Sequence, residues 1–271
     1  MTKQIIKIKN MTFKYDQEYL FKDFNLEIEE NSFVAIIGKN GSGKSSLAKI
    51  LAGLIKCDGY INIDGYLLND LYLKKVRRIL SVCLDDADEH FLGATVMDDL
   101  AFSLENLGYA SSDIEVLIKE TSKKFKIDNI LERTSEELNN SEKEKVAIAS
   151  SLIHNPKILL LDEAIHKLNA SDRKLVFKIL KEKVKNKDLT VIMITHDLED
   201  TLNSDRIILL NNGKIVLDDT KEKVYVDDKI EKWGFNLPFI VKLSHNLMLY
   251  DLLDRVYLNE KEVIDKLWGS N

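Results

Sequence analysis

Residues 38 to 46 read GKNGSGKSS, and their types and spacing suit the cradling of a polyphosphate. Gly38, Lys39, Asn40, Gly41, Ser42, Gly43, Lys44, Ser45 and Ser46 contain a complete G-x-x-x-x-G-K-[ST] pattern. In such a loop successive backbone N–H groups converge on an anion, the Lys44 ammonium reaches the β- and γ-phosphates, and the Ser45 hydroxyl holds Mg²⁺. An apolar strand, Phe33 to Ile37, precedes the loop, and a helical run, Ser46 to Leu54, follows it. That order places a helix N-terminus behind the phosphates, where its dipole favours negative charge. The expected ligand is a nucleotide with its Mg²⁺.

A second group of residues supplies what hydrolysis requires. In KILLLDEA (157 to 164) four apolar residues predict a buried strand whose C-terminal edge carries Asp162 and Glu163. Ligands of open parallel sheets bind at that edge. Asp162 is the expected Mg²⁺ ligand, directly or through an intervening ligand. Glu163 is the better candidate to orient and deprotonate the attacking water, since a carboxylate bound to metal is a poor base. His196 closes a third apolar strand, VIMIT, and would stand at the same edge, within reach of the γ-phosphate.

These residues need an α/β scaffold to hold them. Alternation in Ile5 to Tyr15, and the stretch Leu26 to Ile37, predict a strand-rich first lobe. From about 97 to 155 the pattern is amphipathic and helical, as in Ile114 to Phe125, with no proline before Pro156. Buried strands return at 157 to 164 and 189 to 197, and 205 to 219 read as a hairpin turning at Asn211 to Gly213. From about Val226 a helical tail runs to Trp268, broken at Pro238.

The chain has 271 residues, 45% of them hydrophobic, enough for one large α/β domain with an appendage or for two modest domains. Its apolar runs fall far short of the roughly 20 residues of a membrane span, and the N-terminus shows no signal-peptide pattern, so a soluble cytoplasmic chain is expected. A net charge of −6 argues against a nucleic-acid surface and suits a basic partner. Cys57 and Cys83 lack metal-ligand spacing and are expected to be reduced, partly buried thiols.

The three motifs, in this order and with a helical insertion after the first, resemble the nucleotide-binding domain of ABC transporters over about residues 3 to 225. FKYDQEYLFKDFNLEI matches the opening strand pair of that family, and Tyr15 occupies the place of the aromatic that stacks on adenine. FLGATVMDDLAFSLENLG (91 to 108) and LPFIVKLSHNL (237 to 247) are similar to segments of the energy-coupling factor ATPases. The resemblance implies a P-loop ATPase core with a mostly parallel sheet, an antiparallel β subdomain, a helical subdomain at about 85 to 155, and a C-terminal helical extension, 226 to 271, that stabilises a dimer. It further implies ATP hydrolysis driving uptake of vitamins or metal ions, with a second ABC ATPase as partner. A membrane coupling subunit that carries substrate-binding proteins would hold the chain on the cytoplasmic face. Phe91 and the acidic residues Asp88 and Glu89 stand where the family docks on that subunit.

Departures from the family pattern point to asymmetry. LNNSEKEK (138 to 145) stands for LSGGQKQR, so Asn139, Asn140, Ser141 and Glu142 replace the signature that holds a partner's γ-phosphate. Side chains in place of glycines obstruct close backbone approach, and a carboxylate repels a triphosphate. Asn169 replaces an aspartate that communicates across the interface, and Asp85 replaces the glutamine of the Q-loop, where it would act as a shorter metal ligand. The expectation is one competent and one slow site in a heterodimer. A homodimer, an ATP-binding subunit that gates while its partner hydrolyses, and an ABC-type ATPase outside transport remain the alternatives.

Overall fold

The computed structural model describes residues 3–84, 91–226 and 230–269. Its centre is a six-stranded sheet in the order β10-β9-β3-β8-β7-β6. Strands β3 (Phe33–Ile37), β7 (Ile158–Asp162) and β8 (Thr190–Ile194) are buried at every position. That is the signature of parallel strands covered on both faces. β3 lies between β8 and β9 (Arg206–Asn211), parallel to both, and β6 (Leu80–Cys83) runs parallel to β7. β10 (Lys214–Thr220) pairs antiparallel with β9 and alternates exposed and half-buried residues, as befits an edge. The β9–β10 turn falls at Asn212 and Gly213, both at positive φ (46° and 68°), the conformation a two-residue hairpin needs.

A second, four-stranded sheet is ordered β2-β1-β4-β5, from β1 (Gln4–Tyr15), β2 (Glu18–Glu29), β4 (Asp58–Ile63) and β5 (Tyr66–Leu67). The stretch Leu26 to Ile37 is thus divided between two sheets. Asn31, at φ 59°, turns the chain between them, a position that Asn tolerates well. Helix α1 (Lys44–Leu51) starts two residues earlier than the apolar spacing suggests, because Gly43 ends the loop in a left-handed conformation (φ 108°). Its Leu47, Ile50 and Leu51 pack with Ile6, Ile8 and Phe21 of the small sheet against Val34, Ile36, Leu160 and Ile192 of the large one.

The other face of the large sheet carries the helical insertion. α2 (Leu73–Ile79) leads into β6; α3 (Val96–Asn106), α4 (Ser111–Phe125) and α5 (Asn140–Leu152) follow. Val96, Leu100, Ile118, Phe125 and Ile148 are buried with Phe33, Leu159, Leu161 and Met193, and α6 (Ala170–Lys185) contributes Val176 and Leu180 to the same core. A third cluster seats the C-terminal helices. Ile230, together with Ile240 and Val241 of α9 (Phe239–Met248), packs on Ile207 and Leu209 of β9, while Val263 of α10 (Glu260–Trp268) joins Leu253 and Tyr257. Between β8 and that tail lie two short helices, α7 (Leu198–Thr201) and α8 (Lys221–Val226). The tail is therefore packed onto the strand beside the nucleotide-loop strand.

Candidate active site

The glycine loop follows β3 and feeds α1, and its backbone is shaped by close approach. A Cβ at Gly43 would lie 2.8 Å from the Phe21 ring, and its φ of 108° is one that L side chains rarely adopt. α1 has no side-chain cap, so the N–H groups of its first turn are left for an anion. The buried Ser42 hydroxyl oxygen also has no hydrogen-bond partner among the described residues. Lys44 is buried and donates to the Gly38 carbonyl at 2.7 Å and the Lys39 carbonyl at 3.2 Å. Burial lowers its pKa, with the charges of Glu163 and Asp162 pulling the other way. This is the chemistry of a phosphate cradle: unclaimed donors, and a cation resting on its own loop.

β7 delivers the acids. Ser45 Oγ donates to Asp162 Oδ1 at 3.3 Å, which puts a hydroxyl and a carboxylate oxygen side by side. Such hard oxygen ligands suit Mg²⁺, which keeps water and phosphate oxygens in the rest of its shell. Among the described residues there is no group of three or more His, Cys, Asp or Glu that could hold a metal ion. Glu163 follows with a left-handed backbone (φ 57°), while its N–H donates to the Ile194 carbonyl at 3.0 Å. A non-glycine residue in that region costs of order 1 kcal/mol or more, and such residues cluster at active sites. The turn aims the Glu163 carboxylate at His196, whose Nδ1 lies 2.8 Å from Glu163 Oε2.

A cavity of about 620 Å³ joins these groups, with Lys44, Ser45, Glu163 and His196 in its wall and Tyr15 and Ser46 beside them. The Tyr15 hydroxyl and Ser46 Oγ are 3.2 Å apart, and the Tyr15 ring meets Phe13 edge-on at 4.8 Å. Two further wall residues, Leu20 and His166, carry no sequence signal of their own. Leu20 is one apolar residue of a strand, and His166 reaches the cavity only because β7 and β8 run side by side.

The signature-like residues lie elsewhere, at the start of α5. Asn139 caps that helix by accepting from the Glu142 N–H at 3.0 Å, and Glu142 Oε2 accepts from the Asn139 N–H at 3.0 Å. Ser141 is buried and donates to Asp172 Oδ2 at 2.7 Å, while Asn140 stays exposed. Asn169 caps α6 and donates its backbone N–H to Ser141 Oγ at 3.0 Å. Glu142 also lies 3.8 Å from Arg133. Phe91 is half-buried against the core of the helical insertion. Asp85, Asp88 and Glu89 fall outside the described residues. No helix among the described residues is long and apolar enough to cross a membrane.

Strand, glycine loop, helix, a carboxylate pair at the next strand edge and a histidine at the one after define a P-loop ATPase of the ABC class, and the ABC transporter family model matches residues 21–166. The chain is 38% identical over 255 residues to the energy-coupling factor transporter ATP-binding protein EcfA of Pediococcus pentosaceus, covering 92% of this chain and 89% of that protein. It is 33% identical to EcfA1 of Geobacillus kaustophilus, with 99% and 98% covered. Among solved structures it is similar to cbiO1 from Clostridium perfringens, part of the ABC transporter complex cbiONQ (TM-score 0.76, 26% identity, 89% of this chain and 99% of that one). It also resembles an ATP-binding cassette solved as a dimer in a post-hydrolysis state with ADP and Pi (TM-score 0.72, 27% identity, 79% and 98% covered). The chain belongs to the energy-coupling factor transporter ATP-binding proteins of the ABC family. It is an ATPase of a transport system.

Proposed function

We propose that this chain forms one half of an asymmetric ATPase pair on the cytoplasmic face of the membrane, supplying a hydrolytic site from its own loop and a slow site through its altered signature. The reading is carried by the Glu163–His196 hydrogen bond at 2.8 Å in the wall of the cavity that Lys44 and Ser45 also line. ATP lies with its phosphates on residues 38 to 46 and its adenine against Tyr15. Ser45 and Asp162, with Asp85 as a further ligand, would hold Mg²⁺, which would supply positive charge to offset that of the phosphates. Glu163 orients a water and takes its proton as the water oxygen bonds to the γ-phosphorus and the bond to the bridging oxygen breaks, releasing ADP and phosphate. His196 holds the Glu163 carboxylate and reaches the γ-phosphate. Residues 1–225 form the ATPase domain, and 226–271 an extension that steadies the pair.

In this reading the partners are a second ABC ATPase and an integral membrane coupling subunit with its substrate-binding protein, for uptake of a vitamin or metal ion; the likeness to a part of an ABC transporter complex supports it. Asp88, Glu89 and Phe91 form the docking edge in this reading, where acidic side chains meet basic residues of the membrane subunit. The exposed Asn140 at the start of α5 supports a slow opposite site, because its side chain stands where a partner's phosphate would need a bare backbone.

The test is ATP turnover by the purified membrane complex, comparing Glu163→Gln in this chain with the equivalent change in its partner. Glu163→Gln is expected to abolish turnover and the partner's change to leave much of it. The reverse result would assign hydrolysis to the partner and leave this chain the role of gating by ATP binding.

A further inference from the structure

His166 stands in the wall of the hydrolytic cavity and has no role in the scheme above. It sits in the turn after Glu163. Its backbone N–H donates to the Glu163 carbonyl at 3.2 Å, and the flanking Ile165 and Leu168 are buried, so the turn is anchored on both sides. The His166 ring itself is exposed and lies against the ring of His196, with centroids 4.9 Å apart and planes inclined at 52°.

His196 needs such a neighbour. Half of its side chain is exposed (52%), and its ring is tied by the Nδ1 bond to Glu163. The second torsion of a histidine side chain is broad, so one hydrogen bond at one nitrogen leaves the ring plane free to swing. A second ring laid across its face takes up that freedom, and aromatic pairs in offset or tilted geometry attract one another.

We propose that His166 is a positioning residue for hydrolysis, holding the His196 imidazole so that Nδ1 stays on the Glu163 carboxylate and Nε2 is left for the phosphate end. The inference rests on the hydrolytic reading given above. Because His166 works through its ring face, a flat apolar ring can replace it, whereas a side chain with an N–H but no face cannot. The loss is expected on the chemical step, since the contact that His166 makes is with the ring of His196.

Turnover of the purified membrane complex with wild-type partner tests this, with Glu163→Gln of this chain measured beside the His166 variants. His166→Ala is expected to lower kcat roughly tenfold, the order of loss that follows slight misplacement of a catalytic group, with KM for ATP unchanged. His166→Phe is expected to recover most of the rate and His166→Asn none of it. Recovery by Asn but not Phe, equal loss in all three variants, a KM that rises as kcat falls, or a wild-type rate in His166→Ala would each overturn the proposal. If Glu163→Gln is itself without effect, the hydrolytic reading fails and the positioning role falls with it; if Glu163→Gln is inactive while His166→Ala is not, only the positioning role is lost.

Discussion

Tyr15 shows how a single side chain can be read for what it holds and what holds it. It is half exposed (52%), its ring braced by Phe13 and its hydroxyl shared with Ser46 at the mouth of the loop. A ring so exposed contributes little to the core, so its worth lies in the face it offers to a base. Tyr15→Ala is therefore expected to weaken ATP binding by about 1 to 3 kcal/mol, which a fluorescent-nucleotide titration reads as a rise in Kd of roughly 5- to 150-fold. Tyr15→Phe keeps the face and loses only an exposed hydrogen bond, and should shift Kd by about twofold. If the alanine and phenylalanine variants bind equally well, the ring does not stack on the base. Glu163 and His196 were legible as residues at the ends of apolar strands. Their 2.8 Å contact was not, because it depends on the parallel register of β7 and β8 and on a left-handed turn at Glu163.

Helices α5 and α6 are joined by a polar cluster that no local pattern announces. Asp172 accepts from Ser141 at 2.7 Å, from Asn169 Nδ2 at 2.8 Å and from Lys145 at 2.9 Å, and the Lys145 and Asp172 side chains are both nearly buried. In the sequence, Ser141 and Asn169 stand as departures from a family pattern expected to face a partner. The structure gives both a second task within the chain, tying the start of α5 to the loop that follows Glu163. Burial pushes the Asp172 carboxyl up, but the hydrogen bonds from Lys145 and Ser141 and the Lys145 charge outweigh it, and its pKa lies below the ordinary value. Stability from these contacts is thus full above pH about 4 and is lost as the pH falls through the lower folded value. Lys145→Met leaves a buried carboxylate without its cation and should cost about 3 kcal/mol in denaturant unfolding at pH 7. Asp172→Asn should remove this contribution to the acid side of the stability curve. A Lys145→Met variant as stable as the parent would show that the pair contributes nothing.

For the molecule as a whole, the three apolar clusters make the two sheets, the helical insertion and the C-terminal helices into neighbours around one central sheet. Cys83 lies at the end of β6 within it, and burial pushes its thiol up to about 12, whereas half-buried Cys57 is raised less, again by burial first. Because the thiolate is the reactive form, alkylation at pH 8 should label Cys57 well before Cys83, and Cys83 only as the whole chain opens. Equal labelling rates in the native protein would place β6 among locally opening elements. The alternation of buried strands and amphipathic helices made the architecture legible from sequence, and the glycine loop fixed the ligand class. What stayed hidden was where separate segments touch. The turn at Gly213 is an instance: its N–H donates to the Ser42 carbonyl at 3.0 Å, and a Cβ there would fall 1.6 Å from the Leu20 carbonyl oxygen. It backs the phosphate loop without belonging to it. In a survey of every substitution at every position, Gly213 would therefore score as intolerant as the loop's own glycines, and a map of intolerance would draw the nucleotide footprint larger than the nucleotide.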